Sequence, residues 1–494
     1  MAFVDKRPAL FAVLAVLSTT ALWLAGNGMN PVWPMVWIAP IPVLFLAAET
    51  TSWRVAGGAA ALSMFFGSLT MLYYLNFVLQ APVTAWLIPF SIASLLFAAG
   101  VLLFRGLLHR GAVFSAVIAL PAFWTVCEYL ASFAPANGTA GSLAYTQERF
   151  LPILQVASVT GPWGITFLLL LFPSAVAAGL YLQRRSLPAA PVLVSVFAVL
   201  AAAILFGGIR LTASTSQQTI KVALLDTDTV IFANKAPEMQ ELVKGYAEQA
   251  ERLAAEGAKI VLMPEKIGLL LNQETKIMDP VLQSVADRTG ATLVVGVLHV
   301  VAPNSFNEAR IYTPHQPIAT YDKQHMLPPF ESNLKPGTSL ALLSQSIVPI
   351  GVAICKDMDF IHPALDYGRE GIDLLLDPAW DFNLDRTWHG HIAIMRGVEG
   401  GYAIAHAAKD GFLTVTDDRG RILGEVRTNT GAFASLLLDV PLRHDQTIFD
   451  RYGAWFPGLA ALLLLATGIR MATLSRVASG RRMGFASPVT DARS

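Results

Sequence analysis

Eight separated apolar runs, each of a length that crosses a bilayer, dominate this chain and leave one polar stretch between the seventh and the eighth. They occupy residues 9–26, 31–48, 55–77, 84–104, 113–131, 162–182, 190–209 and 454–470. About 20 predominantly apolar residues span the hydrocarbon core as a helix. Charges are scarce before about Arg210 and frequent from Lys221 to Asp450. The expected architecture is a multi-pass α-helical membrane bundle of eight spans with an α/β domain inserted before the last one. The first run follows Lys6-Arg7 but lacks a clean small-residue cleavage site, so it reads as a retained span rather than a signal peptide.

Basic residues in the short loops set an orientation. Arg54, Arg105, Arg110, Arg184 and Arg185 fall in alternate loops, and Arg470, Arg476, Arg481 and Arg482 follow the last run. With eight spans they share one side with Lys6 and Arg7, the side expected to be cytoplasmic. The polar domain is then extracytoplasmic, and periplasmic if the cell is Gram-negative. The expected boundaries are 1–210 for a seven-span membrane domain, 211–452 for the extracytoplasmic domain, 453–472 for the last transmembrane helix and 473–494 for a cytoplasmic tail. The loop 132–161 stays open between a plain linker and a substrate contact at the membrane edge.

Thirty-five basic residues balance 35 acidic ones, and no Lys/Arg cluster is suited to a phosphate backbone, which argues against nucleic acid as a partner. The two cysteines make no disulfide framework. Cys127 lies in an apolar span and reads as a small buried hydrophobe. Cys355 lies in the polar domain.

That domain alternates strand-like and helix-like segments. Thr219–Leu225 reads as a strand and 236–256 as a helix with Met239, Leu242, Val243, Tyr246 and Ala250 on one side. Short apolar strands separated by helices indicate sheets buried on both faces. Glu265, Lys323 and Cys355 each follow such a strand, where α/β folds gather their sites. Singly, each has an ordinary explanation as a loop carboxylate, a surface lysine or a buried thiol. Together they form a set in which Glu265 takes the thiol proton, Cys355 attacks a carbonyl, and Lys323 with the backbone N–H of Lys356 stabilises the oxyanion. Two roles stay open for Lys356: its ammonium lowers the thiol pKa, or its side chain points away and only its N–H serves, which is preferred. Asp357 stays open between orienting its neighbours and lying at the surface. His389-Gly390-His391 is not read as a metal pair, because residues two apart at a helix start face differently. No metal or cofactor is expected.

The words around these residues carry a resemblance. Met263-Pro264-Glu265, the stretch Tyr321-Asp322-Lys323-Gln324-His325-Met326-Leu327-Pro328-Pro329-Phe330-Glu331, and Ile354-Cys355-Lys356-Asp357 resemble the nitrilase (carbon–nitrogen hydrolase) superfamily. With about seven spans before the domain and one after it, the whole chain resembles the bacterial apolipoprotein N-acyltransferase family, the membrane branch of that superfamily. The resemblance implies a nitrilase-like α-β-β-α sandwich with Glu265 as base, Lys323 and Cys355 as its catalytic partners, and Glu331 in support. It also implies a phospholipid acyl donor, a diacylglyceryl-modified lipoprotein N-terminus as acceptor and a cytoplasmic (inner) membrane location. A monomer is expected. Leu269, Leu270, Phe330, Trp380 and Phe382 are candidates for substrate contact, with local packing as the alternative.

The sequence departs from the family at several words. Cys355-Lys356-Asp357 stands where Cys-Tyr-Glu is usual, Pro264-Glu265-Lys266 where Pro-Glu-Thr or Pro-Glu-Ser is common, and Leu225-Asp226-Thr227-Asp228 where a Gln-x-Asn word is normal. These changes keep a second reading open: a membrane-bound amidase, or an acyltransferase with a different amine acceptor.

Overall fold

The computed structural model describes residues 7–212, 218–343, 349–430 and 433–484. Lys6, Val348 and the tail beyond Gly484 lie outside the described residues.

Among the described residues, six helices are long and apolar enough to cross a membrane: Pro8–Gly26, Val83–His109, Val113–Ala131, Pro162–Gln183, Ala190–Thr212 and the portion Phe456–Arg476 of the last helix. Their outward faces are apolar; Leu95, Val194 and Leu462 are each about two-thirds exposed, the distribution a lipid environment favours. The two remaining apolar runs are broken. Residues 31–48 form Pro34–Ile38 and Ile41–Glu49, interrupted at Pro40, because a proline ring excludes the preceding helical turn and offers no N–H. The run 55–77 is helical over Trp53–Gly67, then tightens into the 3₁₀ turn Ser68–Met71 and widens into the π turn Tyr74–Val78. Ser68 Oγ donates to the Met64 carbonyl at 2.9 Å, a side-chain bond that competes with the helix ladder. The irregular turn buries Tyr74 while Tyr73 and Phe77 face outward.

The polar domain is built on two sheets. The first contains β1 (Thr219–Asp226), β2 (Ile260–Leu262), β3 (Leu269–Leu271), β4 (Thr292–Val301), β5 (Asn304–Tyr312), β6 (Ala319–Asp322) and β13 (Ala434–Pro441). Its order is β13-β1-β2-β4-β5-β6, with β3 also pairing with β4. The second contains β7 (Ala341–Leu342), β8 (Ile350–Val352), β9 (Leu374–Trp380), β10 (Ala403–Lys409), β11 (Phe412–Thr416) and β12 (Ile422–Arg427), ordered β12-β11-β10-β9-β8-β7.

Period-two alternation sorts the strand residues between layers. In β1, Val222 and Leu224 enter the core shared by the two sheets, whereas Ala223 and Leu225 join a second core under the helices Ala236–Ala255 and Thr275–Thr289. In β2, Ile260 and Leu262 make the first choice and Val261 the second, which Met263 just past the strand also makes. The opposite outer layer contains Ala364–Arg369 and Arg386–Gly400.

That second helical layer rests on the membrane domain. Arg396 Nη2 donates to Thr139 Oγ1 at 3.0 Å and also bonds the Tyr145 hydroxyl. Thr387 Oγ1 donates to the Met29 carbonyl at 3.0 Å. Arg210, at the end of a long apolar helix, pairs with Asp445 at 2.8 Å. The loop 132–161 is therefore a buttress: its residues reach the polar domain and fix it at several points.

Candidate active site

The three strand-end residues converge. β1, β2 and β4 run parallel, so the chain leaves β2 at the edge where the loops after β6 and β8 also emerge. Glu265 is drawn in by its own N–H, which bonds the Ala379 carbonyl of the other sheet at 3.2 Å. Gly296 permits this path, since a Cβ there would come within 2.5 Å of the Glu265 Cα.

Lys323 Nζ lies 2.8 Å from Glu265 Oε1 and 3.0 Å from Glu331 Oε2. All three side chains are almost completely buried. Asn307, on β5, bridges the two carboxylates, donating to Glu265 Oε1 at 2.5 Å and to Glu331 Oε1 at 2.8 Å. Lys266 also bonds Glu331 and lies 3.6 Å from Glu265. The backbone N–H of Leu327 donates to Glu331 Oε2 at 2.8 Å, which closes the lysine loop on itself. Two buried acids and two ammonium groups thus balance within one cluster.

Cys355 opens the 3₁₀ turn Cys355–Asp359 in a left-handed conformation, φ +45°, a strained position for a side-chain-bearing residue. Its N–H donates to Asp377 Oδ1 at 2.6 Å, and its sulfur lies 3.9 Å from the Trp380 carbonyl oxygen. Burial and then the Glu265 charge push the thiol well above its ordinary pKa, against the opposing effect of Lys323. Burial works against ionisation of Glu265, but Lys323 and then Lys266 outweigh it and hold the carboxyl below its usual range. Lys323 is destabilised as a cation by burial, yet Glu265 and Glu331 carry its pKa well above normal. The resting pair is a carboxylate beside a neutral thiol, ready for proton transfer coupled to attack. Acylation of Cys355 by a p-nitrophenyl ester is therefore expected to be level through neutral pH and to fall only on the acid side, as Glu265 takes up its proton. A rate that climbs in proportion to thiolate between about pH 7 and 9, followed by intact mass, would contradict this assignment.

Asp357 is fully buried and joins two loops. Its Oδ2 accepts from Tyr321 Oη at 2.7 Å and Ile354 N at 3.1 Å; its Oδ1 accepts from Gln324 N at 3.1 Å and His325 N at 2.8 Å. It orients backbone and is not a surface residue. The Lys356 side chain is paired with Asp359 at 2.8 Å.

The apolar candidates divide. Phe330 lies 5.9 Å from Phe382, and Phe382 lies 6.3 Å from Trp380, so these three rings form a row beside Glu331 and Cys355, with Phe330 47% exposed. Leu270 has no exposure and belongs to the core under Ala236–Ala255 and Thr275–Thr289, on the face of β3 away from the three rings. Leu269 is half-buried on β3, in register with Leu298.

Several neighbouring polar residues were not placed near this cluster by the sequence. Lys409, at the end of β10, donates to the carbonyls of Ile231 at 2.7 Å and Lys266 at 2.6 Å, and its ammonium lies 3.6 Å over the Trp380 ring. Burial lowers its pKa to about 7. His389 bridges Asp385 at 3.1 Å and Asp359 at 3.7 Å. Asp385 also accepts from the Phe382 N–H at 2.7 Å and from the hydroxyl of Tyr74. Thr139 donates its N–H and Oγ1 to the Asp359 carbonyl at 2.8 and 2.7 Å. Gly138 beside it has φ +51°, and a Cβ would lie 2.5 Å from that same oxygen. The membrane domain thus grips the Cys355 turn through Thr139 and the aromatic loop through Tyr74. Tyr74→Phe, which deletes one donor to a buried carboxylate, is expected to cost about 1–3 kcal/mol in thermal unfolding and to slow Cys355 acylation several-fold.

Residues 11–175 match the apolipoprotein N-acyltransferase N-terminal domain, and residues 221–432 match the carbon–nitrogen hydrolase family. An apolipoprotein N-acyltransferase of Geobacter metallireducens is 26% identical over 515 residues, covering 94% of this chain and 96% of the relative. One from Bradyrhizobium diazoefficiens is 27% identical over 512 residues, covering 88% and 91%. Among solved structures, an amidase from Nesterenkonia sp. aligns with a TM-score of 0.41 and 21% identity, over 50% of this chain and 97% of the amidase.

Proposed function

Because the chain belongs to the apolipoprotein N-acyltransferase family, we propose that it moves a fatty acyl chain from a phospholipid, through a Cys355 thioester, to the N-terminal amine of a diacylglyceryl-modified apolipoprotein. The observation that carries this reading is Lys323 held between Glu265 and Glu331 beside a half-buried thiol on a turn gripped by the membrane domain. A soluble amidase has no need of that grip; a lipid donor gives it a purpose.

In the first half-reaction Glu265 takes the Cys355 proton as sulfur bonds to the ester carbonyl carbon. Lys323 and the N–H of Lys356 stabilise the resulting oxyanion. Collapse breaks the C–O bond, and Glu265 gives the proton to the departing lysophospholipid alcohol. In the second, the acceptor amine attacks the thioester, Glu265 accepts a proton from nitrogen, and the thiolate leaves and is reprotonated. The Phe330, Phe382 and Trp380 row gives the acyl chain an apolar surface. No metal or organic cofactor enters these steps.

The reading includes the two broken apolar segments as further spans, eight in all, and an extracytoplasmic catalytic domain over 211–452. It also includes the flanking units 1–210, 453–472 and 473–494, location in a bacterial inner membrane, and action as a monomer. The positive-inside distribution of loop arginines supports the orientation.

Intact-mass analysis of the purified protein with defined phospholipid, with and without a diacylglyceryl peptide, tests the reaction. A fatty-acyl increment that is absent from Cys355→Ala, and that passes to the peptide, is expected. An adduct released only as free acid would favour a hydrolase, and no Cys355-dependent adduct would sink the thioester route.

A further inference from the structure

We infer that His406 is a positioning residue of this site, acting through Asp377 on the backbone N–H of Cys355. The inference rests on Cys355 as the nucleophile and adds a residue that no motif around it announces.

His406 and Asp377 sit opposite one another in the parallel ladder of β10 and β9. Both are buried, Asp377 completely. His406 Nδ1 lies 2.8 Å from Asp377 Oδ2, and the other Asp377 oxygen accepts the Cys355 N–H at 2.6 Å. On its far side His406 Nε2 lies 3.7 Å from Asp381 Oδ2. Neither Asp381 oxygen has a hydrogen-bond partner among the described residues, so the imidazole stands between two carboxylates. Burial opposes the imidazolium, but those carboxylates raise its pKa to about 10. Facing an oxygen of the Asp377 carboxylate, which only accepts, Nδ1 is the donor of this pair.

Packing alone gives no reason for such a group. The flanking positions of both strands are Leu374, Leu375, Leu376, Ala403, Ile404 and Ala405, all buried apolar residues, and a hydrophobic pair would fill the same space without desolvating charges. What the pair supplies is a fixed acceptor at the amide of a residue held at φ +45°. That conformation is sparsely populated for a residue with a Cβ and persists only where neighbours over-determine it. Because the Cys355 N–H is committed to Asp377, it does not face the reacting oxygen, which leaves that task to Lys323 and the Lys356 N–H.

The test uses full-length protein and a small activated ester, p-nitrophenyl butyrate, so that Cys355 acylation is read without phospholipid. Three variants are compared with wild type: His406→Leu, His406→Asn and Asp377→Asn. His406→Leu is expected to lower the maximal acylation rate about 10²-fold, the scale of a reacting group displaced by about 1 Å, with the half-saturating ester concentration unchanged. His406→Asn, whose side-chain amide can donate to Asp377, is expected to recover most of that loss. Asp377→Asn keeps an oxygen for the Cys355 N–H without its charge and is expected to slow the reaction at least several-fold; it decides the matter if His406→Leu does not fold. Wild-type rates in His406→Leu or Asp377→Asn, or equal slowing in both His406 variants, would overturn the inference. If wild type reacts with the ester but never with phospholipid, the proposed donor fails while this assignment stands.

Discussion

Lys323→Met is expected to reduce Cys355 acylation by about 10³-fold or more, combining loss of the proposed oxyanion donor with disruption of the proposed general base, Glu265. The lysine is the shared counter-ion of two buried carboxylates, 2.8 Å from Glu265 and 3.0 Å from Glu331. Methionine preserves most of the volume and removes the charge. Lys266 remains, bonded to Glu331 and 3.6 Å from Glu265, but a single ammonium then faces two carboxylates. Breaking a buried pair from one side costs about 3–5 kcal/mol, because the abandoned charge stays desolvated. The sign of the pH response follows. Wild-type Glu265 is held below the usual range, so its stabilisation is present above the unfolded carboxyl value and is lost as pH falls through the folded one. Without Lys323, burial dominates and the Glu265 pKa moves up. Residual acylation should then require more alkaline solution than wild type, and the thermal-unfolding deficit should be largest where both carboxylates are ionised. Lys323→Arg tests geometry: a guanidinium keeps the charge but not the compact ammonium that fits between two acids, so stability should recover more than rate. A wild-type rate in Lys323→Met would remove the lysine from the mechanism.

The strand-end residues were legible in the sequence for a physical reason. A short apolar strand buried on both faces ends where polarity resumes, and β2, β6 and β8 deliver Glu265, Lys323 and Cys355 at such points. What sequence could not supply was the pairing across strands. Asn307 lies in a stretch of mixed polarity, Asn304 to Arg310, where neither face reads as core; only the antiparallel register of β5 with β4 and β6 carries its amide to the two glutamates. His406 and Asp377 are 29 residues apart and meet through a parallel ladder. Leu270 shows the converse: adjacent residues of a strand face opposite layers, and an apolar run after Glu265 does not reveal which one points into a core. Hydropathy also overstated helical continuity. It measures the cost of leaving water, whereas Pro40 and Ser68 act on the backbone ladder, so two runs of spanning length became interrupted helices.

Asp357→Asn is expected to slow Cys355 acylation by about 10²-fold, although it changes one atom. Three backbone N–H groups and one hydroxyl donate to this buried carboxylate, and His325 Nδ1 lies 3.1 Å from its Oδ1. Tyr321 Oη and Ile354 N converge on Oδ2, and Gln324 N and His325 N converge on Oδ1. An asparagine offers one carbonyl oxygen and one NH₂. If its oxygen faces the cysteine turn, the NH₂ confronts the backbone N–H groups of Gln324 and His325, with only the His325 ring nitrogen able to accept; if it is flipped, the NH₂ confronts Tyr321 and Ile354. Either orientation leaves buried donors unmatched, at about 1–3 kcal/mol for each unsatisfied group. The loss falls on the junction between the loop that carries Lys323 and the turn that carries Cys355, so the two should separate before the sheets do. Two readouts distinguish this from general unfolding. Hydrogen exchange should accelerate at Gln324, His325 and Ile354 while β1 and β10 stay protected, and the maximal acylation rate should fall more than ester affinity. Unchanged exchange at those three amides together with a wild-type rate would show that the carboxylate does not hold the two loops together.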